Sequence, residues 1–151
     1  MKLAEALIER KALKTKMEEL KSRIYKNAQT QEGDEPAERP LELLSQLQEE
    51  SSKFENLVIR INKTNNNTLL DDKSTLMEAL TKRDMLKFEH FILSNLATKA
   101  TPATDRYSNR EIKFVSTIDV KEVRKKADDI AKQYRQIDVK IQEKNWLTDL
   151  L

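Results

Sequence analysis

Three stretches of the chain repeat apolar residues at alternating spacings of four and three. They are Leu13, Met17, Leu20 and Ile24; Leu43, Leu47, Phe54, Leu57 and Ile61, with Glu50 interrupting; and Val123, Ala127, Ile130, Tyr134, Ile137 and Ile141. That spacing lines each set along one seam of a long helix, the pattern of helices that lie alongside one another and bury their seams together. Breakers are scarce, with one glycine (Gly33) and three prolines (Pro36, Pro40 and Pro102) in 151 residues. Long helices are therefore the architecture this chain is built for.

The breakers and polar runs divide the seams. A first helix is predicted from about residue 2 to residue 27, ending at Asn27-Ala28-Gln29 before an acidic loop, Gln31 to Pro36. Pro40 suits the opening of a second helix, where its missing N–H costs nothing, and this helix is predicted to run to Ile61. The polar run Asn62 to Thr68 reads as a turn, because asparagine and threonine side chains compete for backbone hydrogen bonds. Thr75-Leu76-Met77-Glu78 is a capping box that opens a third helix. Its apolar stripe is Leu76, Leu80, Leu86, Leu93 and Leu96, widened by Phe88, Phe91 and Ile92, and it ends before Pro102. Asp119-Val120-Lys121-Glu122 opens a fourth helix, predicted to reach about Asn145. Ile112 to Ile118 is rich in β-branched and aromatic residues and is the best strand candidate. Paired with a short piece around Thr68 to Leu70, it would make a small ribbon supported by the helices. The expected fold is mainly α: an antiparallel bundle of four long helices with a small two-stranded β-ribbon at one end, forming a single helical domain over residues 1–151.

Charged residues make up 36% of the chain, yet 28 basic against 26 acidic residues leave a net charge of only +2. That excess is too small to point to nucleic acid, which calls for a concentrated basic face. The densest basic patch, Lys121, Arg124, Lys125 and Lys126, is followed at once by Asp128 and Asp129 and reads as a solvated helix face. Cysteine is absent, which excludes disulfides, thiolate metal sites and cysteine nucleophiles. Glu5 and Glu9 interrupt the opening apolar residues, which argues against a signal peptide. No apolar run approaches the length of about 20 residues needed to span a bilayer. The expectation is a cytoplasmic protein without a membrane span.

Several local sequences carry a resemblance. They are Met1 to Leu7, Gln31 to Pro36, Arg60 to Asn65, Thr75 to Asp84, Asp105-Arg106-Tyr107-Ser108, Phe114 to Val120, and Ile141 to Trp146. As a set covering nearly the whole chain, they resemble the septicolysin-like family of small helical bacterial proteins of unestablished function. The family name implies a membrane-active, pore-forming lysin. The residues themselves offer no glycine-rich apolar insertion segment and no amphipathic strand pair of membrane-crossing length.

Residues with potential chemistry are few. His90 is the only histidine. It lacks the companion ligands of a zinc site and reads as a seam-lining residue. No catalytic residue, metal site or cofactor is expected. A polar set comprising Arg60, Asn62, Thr64, Asn65, Arg83, Asp84, Asp105, Arg106, Tyr107 and Ser108 falls at helix ends and in the irregular segments. The ribbon would gather it at one end of the bundle. Such a cluster either caps the helices that meet there or recognises a phosphate or carboxylate group. Trp146, Leu147, Leu150 and Leu151 form an apolar tail that either closes the protomer's own core or docks on a neighbour. The leading functional expectation is a non-enzymatic helical protein that forms a homo-oligomer through its seams. The alternatives are a ligand-binding protein or enzyme using the polar set, its small-molecule ligand unspecified, and the lysin that the resemblance implies.

Overall fold

The computed structural model describes residues 1–103 and 112–151. The regular elements among them are four helices: α1 (Leu3–Lys26), α2 (Pro40–Asn67), α3 (Leu76–Ala100) and α4 (Val120–Leu147). The chain divides into two compact units, Met1–Leu69 with Glu143–Leu151, and Leu70–Gln142.

In the first unit, α1 and α2 pack against each other as a hairpin, with the seam residues turned inward. Leu3, Ala6, Leu20, Leu43, Leu57 and Ile61 are buried. Each buried leucine or isoleucine removes enough apolar surface from water to contribute about 1.5–3 kcal/mol. The connection between the helices is held by Asn27. Its Nδ2 donates to Arg23 O at 2.9 Å, and its Oδ1 accepts from Glu38 N at 3.0 Å. Arg23 also pairs with Glu38 through its guanidinium. Gly33 lies at φ +91°, in the left-handed region, within the turn closed by Asp34 N donating to Gln31 O at 3.0 Å. A side chain there would be strained.

α2 does not stop at Ile61. It runs through Asn62-Lys63-Thr64-Asn65-Asn66 to Asn67, so the turn expected at this polar run is corrected. The reason lies at Thr64, which is fully buried. Its Oγ1 donates to Arg60 O one turn back at 2.9 Å and accepts from Leu151 N at 3.0 Å. Tertiary packing and a satisfied hydroxyl outweigh the weak helix propensity of the run.

In the second unit, Thr75 opens α3 as expected. Thr75 N donates to Glu78 Oε2 at 2.7 Å, and Glu78 N donates to Thr75 Oγ1 at 3.2 Å. Asp119 opens α4, accepting from Glu122 N at 3.1 Å. The helix runs two residues beyond Asn145, to Leu147. α3 and α4 are joined by Arg83, whose Nη1 lies 3.3 Å from Asp138 Oδ1. A groove lined by His90, Ser94, Ala97, Arg124 and Ala127 lies farther along α3 and nearer the start of α4. The partners of α3 thus recede along α4 as α3 advances, so the two run antiparallel.

The expected β-ribbon is not found: no strand occurs among the described residues. Residues 112–118 are irregular, with Ile112, Phe114 and Val115 exposed at 85%, 79% and 78%. β-propensity makes a strand only where a partner takes its backbone groups. The intended partner is committed elsewhere. Thr68 N donates back to Thr64 O at 2.9 Å, and Leu70 N donates to Ser74 O at 2.9 Å in a turn organised by Asp71. Asp71 Oδ1 accepts from Lys73 N, Ser74 N and Ser74 Oγ at 2.8–3.0 Å.

Candidate functional site

The polar set read from the sequence does not form one described cluster. Arg60, Asn62, Thr64 and Asn65 lie on the last turns of α2, in the first unit. Arg60 and Thr64 are brought together there, on one strip of backbone. Arg60 Nε donates to Leu151 O at 2.8 Å, beside the Leu151 N–H taken by Thr64. Asn62 is exposed and Asn65 half-buried. Arg83 and Asp84 lie on α3 in the second unit. Asp84 Oδ1 accepts from Arg83 Nε and Nη2 at 3.1 and 3.0 Å, and Asp138 accepts from Nη1. Partial burial disfavours the Arg83 cation, but these two carboxylates outweigh it and hold its pKa above the ordinary arginine value. Asp105, Arg106, Tyr107 and Ser108 lie outside the described residues.

The tail is anchored through its backbone and one ion pair rather than through apolar docking. Leu3 N donates to Thr148 O at 2.9 Å, and Leu150 N donates to Met1 O at 3.0 Å. Lys2 Nζ reaches Asp149 Oδ1 at 2.8 Å and Leu147 O at 3.3 Å. Hydrogen bonding and charge from Lys2 hold the Asp149 carboxyl below the ordinary aspartate range. Trp146, Leu147 and Leu151 remain exposed, and Leu150 is half-buried. The apolar side chains of the tail are thus mostly presented outward while its main chain fastens the start of α1 and the end of α2.

Glu50, which interrupts the α2 seam in the sequence, is 7% exposed. Lys16 Nζ of α1 donates to its Oε1 at 2.9 Å, and Lys53 Nζ at 3.0 Å. The hydrogen bond from Lys16, then that from Lys53, keeps the carboxyl below the ordinary glutamate value. The seam position gave the signal for this residue; nothing in the sequence named its partners.

The outer face of α3 is the feature that sequence reading blurred. The broad stripe expected there is two stripes. Leu76, Ala79, Leu86 and Ala97 are buried, with Leu80, His90 and Leu93 half-buried around them. Met77, Met85, Phe88, Phe91, Ile92 and Leu96 are 42–64% exposed. At 3.6 residues per turn, Met77, Met85, Phe88 and Ile92 fall within about 80° of one another, on the far side of the helix from Leu86 and Ala97. A helix apolar on both faces is normally covered on both. The excessive width of the stripe was the sequence signal for this second face. His90 lines the inner groove, with Nε2 3.4 Å from Ser94 Oγ. No group of three or more potential metal-ligating side chains occurs among the described residues.

Comparison with known proteins corrects the resemblance to septicolysin-like proteins. The profile that matches, over residues 10–150, is that of the "Family of unknown function (DUF6847)". A crystal structure of a functionally unknown conserved protein from Corynebacterium diphtheriae is similar at 46% identity and a TM-score of 0.94, covering 100% of this chain and 99% of that one. No curated protein matches. Neither match carries a link to septicolysin, and the lysin expectation falls with the resemblance that supplied it. Short motifs at helix ends and turns recur wherever the same capping chemistry is needed and do not establish a family. No described helix is long and apolar enough to cross a membrane.

Proposed function

The chain belongs to the DUF6847 family of unknown function, and we propose that it is a helical interaction protein that self-associates, without catalysis of its own. The observation supporting this reading is the outward apolar face of α3. Phe88 and Phe91 are 58% and 64% exposed, with Met85 and Ile92 beside them. Contiguous apolar patches of this kind, rimmed by charge, characterise association surfaces. Two exposed phenylalanines also match the aromatic and methionine enrichment of interface cores. Trp146 and Leu147 are a secondary candidate contact.

The polar residues fit a supporting role. Arg60 and Thr64 hold the tail backbone, and Arg83 ties α3 to α4, uses that account for them without a ligand. The basic residues of α4 alternate with acid, Lys126 pairing with Glu122 at 3.1 Å, which disfavours a nucleic-acid partner. One helical domain over residues 1–151 is consistent with α4 contributing residues to both compact units. A cytoplasmic location suits the cysteine-free, highly charged chain. Light scattering coupled to size exclusion at micromolar concentration tests the proposal. An oligomer that dissociates when Phe88 is replaced by glutamate is expected; a strict monomer at every concentration would overturn it.

A further inference from the structure

We infer that two copies of this chain pair α3 against α3 in antiparallel orientation about a two-fold axis passing between Met85 and Phe88, an inference that rests on the self-association proposed above.

The argument starts from the exposed face. Met85, Phe88 and Ile92 follow the three-four spacing of a seam, and all three are solvent-exposed. Turned end over end and laid on itself, the helix can place Met85 against Phe88 of the second copy, and Phe88 against its Met85. The same register carries Ile92 onto Thr81 of the second copy, also twice by symmetry. Met85 and Phe88 thus meet apolar against apolar, and Ile92 meets Thr81, whose hydroxyl is taken up by Met77 O at 3.1 Å, so the centre of the face is complementary to itself, as a two-fold interface requires.

The flanking charges choose the direction. Lys82 and Glu89 stand on the same edge of the exposed face, seven residues apart in the sequence. In the antiparallel register each edge meets its own copy reversed, so Lys82 lies beside Glu89 of the second copy, twice by symmetry. A parallel pairing on the same seam would instead set Lys82 beside Met77 and Glu89 beside Asp84 of the second copy, so that neither edge charge meets a free charge of opposite sign. Edge charges of this kind set partner choice and orientation in helix pairs. On the opposite edge the antiparallel register sets Phe91 by Asp84 of the second copy. Asp84 already accepts from Arg83 Nε and Nη2, so its charge is compensated.

The test separates this pairing from self-association in general. Because the chain has no cysteine, Lys99→Cys supplies a unique site for a nitroxide label. Antiparallel pairing puts the two labels about 37 Å apart along the axis, given 1.5 Å per residue. A parallel pair would bring them within about 15 Å, near the usual interhelical separation. Charge reversal is the second arm. Lys82→Glu and Glu89→Lys should each weaken association roughly tenfold, and the double reversal should restore it, because exposed pairs turned from attractive to repulsive act in the same place. A wild-type monomer would overturn self-association itself. An oligomer with short label distances, or one indifferent to both reversals, would overturn the antiparallel α3 pairing and leave self-association standing.

Discussion

Lys16 and Glu50 meet across the α1–α2 seam, with Lys16 Nζ 2.9 Å from Glu50 Oε1, at a position where the repeat of apolar residues calls for a leucine. Glu50 is nearly buried, while both of its lysine partners keep more than half of their side chains in solvent. The seam therefore carries one carboxylate held between two cations that retain their hydration. Removing the carboxylate strands no buried charge, whereas removing a lysine leaves the carboxylate less compensated. A buried polar position of this sort is well attested as a device that fixes helix register.

Glu50→Leu is accordingly expected to melt at or above the parent temperature, and Lys16→Met below it, by thermal circular dichroism. A large fall for Glu50→Leu would mean that the ion pairs stabilise more than leucine packing can.

Acid should destabilise the first unit in particular. Glu50, Glu38 and Asp149 all have folded pKa values below their ordinary ones, through hydrogen bonds from Lys16, Arg23 and Lys2 respectively. A depressed carboxylate contributes its stabilisation in full above its unfolded value and loses it as the pH falls through the folded value. Melting temperature is thus expected to be level near neutrality and to decline below about pH 4.5, the ordinary glutamate value. The Glu38→Gln, Glu50→Gln and Asp149→Asn triple variant should show a shallower decline. An identical acid profile in that variant would refute the assignment.

Thr64→Val keeps the volume but leaves the Leu151 N–H without its acceptor. The expected cost is about 1–3 kcal/mol in denaturant unfolding, while Thr64→Ser should recover much of it. Equal effects from the two would show that the methyl group, not the hydroxyl, matters at this position.

Leu76 and Met77 are neighbours with opposite exposure, 0% and 47%. Leu76→Ala should cost about 2–5 kcal/mol by leaving a cavity. Met77→Ala should change monomer stability by less than about 0.5 kcal/mol. Comparable losses at dilutions where association is absent would contradict a two-faced α3.

Thr75→Ala and Asp119→Ala each remove an N-cap acceptor and should cost about 1 kcal/mol. Hydrogen exchange should report the loss in the first turns of α3 and α4 respectively. Loss of protection spread evenly over both helices would argue against local capping.

What was legible in the sequence follows from how local its causes are. Caps at Thr75 and Asp119 act over three residues, and the structure has both. Pro40 marks the opening of α2 for the same reason. The end of α2 escapes local signals because its cause is distant: Thr64 is stabilised through Leu151, 87 residues away. The strand expected over residues 112–118 failed because intrinsic preference cannot supply a partner. The two faces of α3 were merged because a list of apolar positions does not say which neighbour covers each one. Within the polar set, Arg60 with Thr64 and Arg83 with Asp84 are united by short-range chemistry, while the ribbon meant to gather all ten is missing from the described residues.

The first compact unit is interrupted in sequence, combining Met1–Leu69 with Glu143–Leu151, whereas Leu70–Gln142 is continuous. Emergence from the ribosome therefore imposes an order. The α1–α2 hairpin is synthesised first yet must wait for the segment that fastens both of its open ends, through Thr148 and Leu150 on one side and Leu151 on the other. The continuous unit has every residue it needs before that segment appears. Although the hairpin is made first, its unit is completed last, because Thr148, Leu150 and Leu151, which fasten it, are among the last residues of the chain to be synthesised.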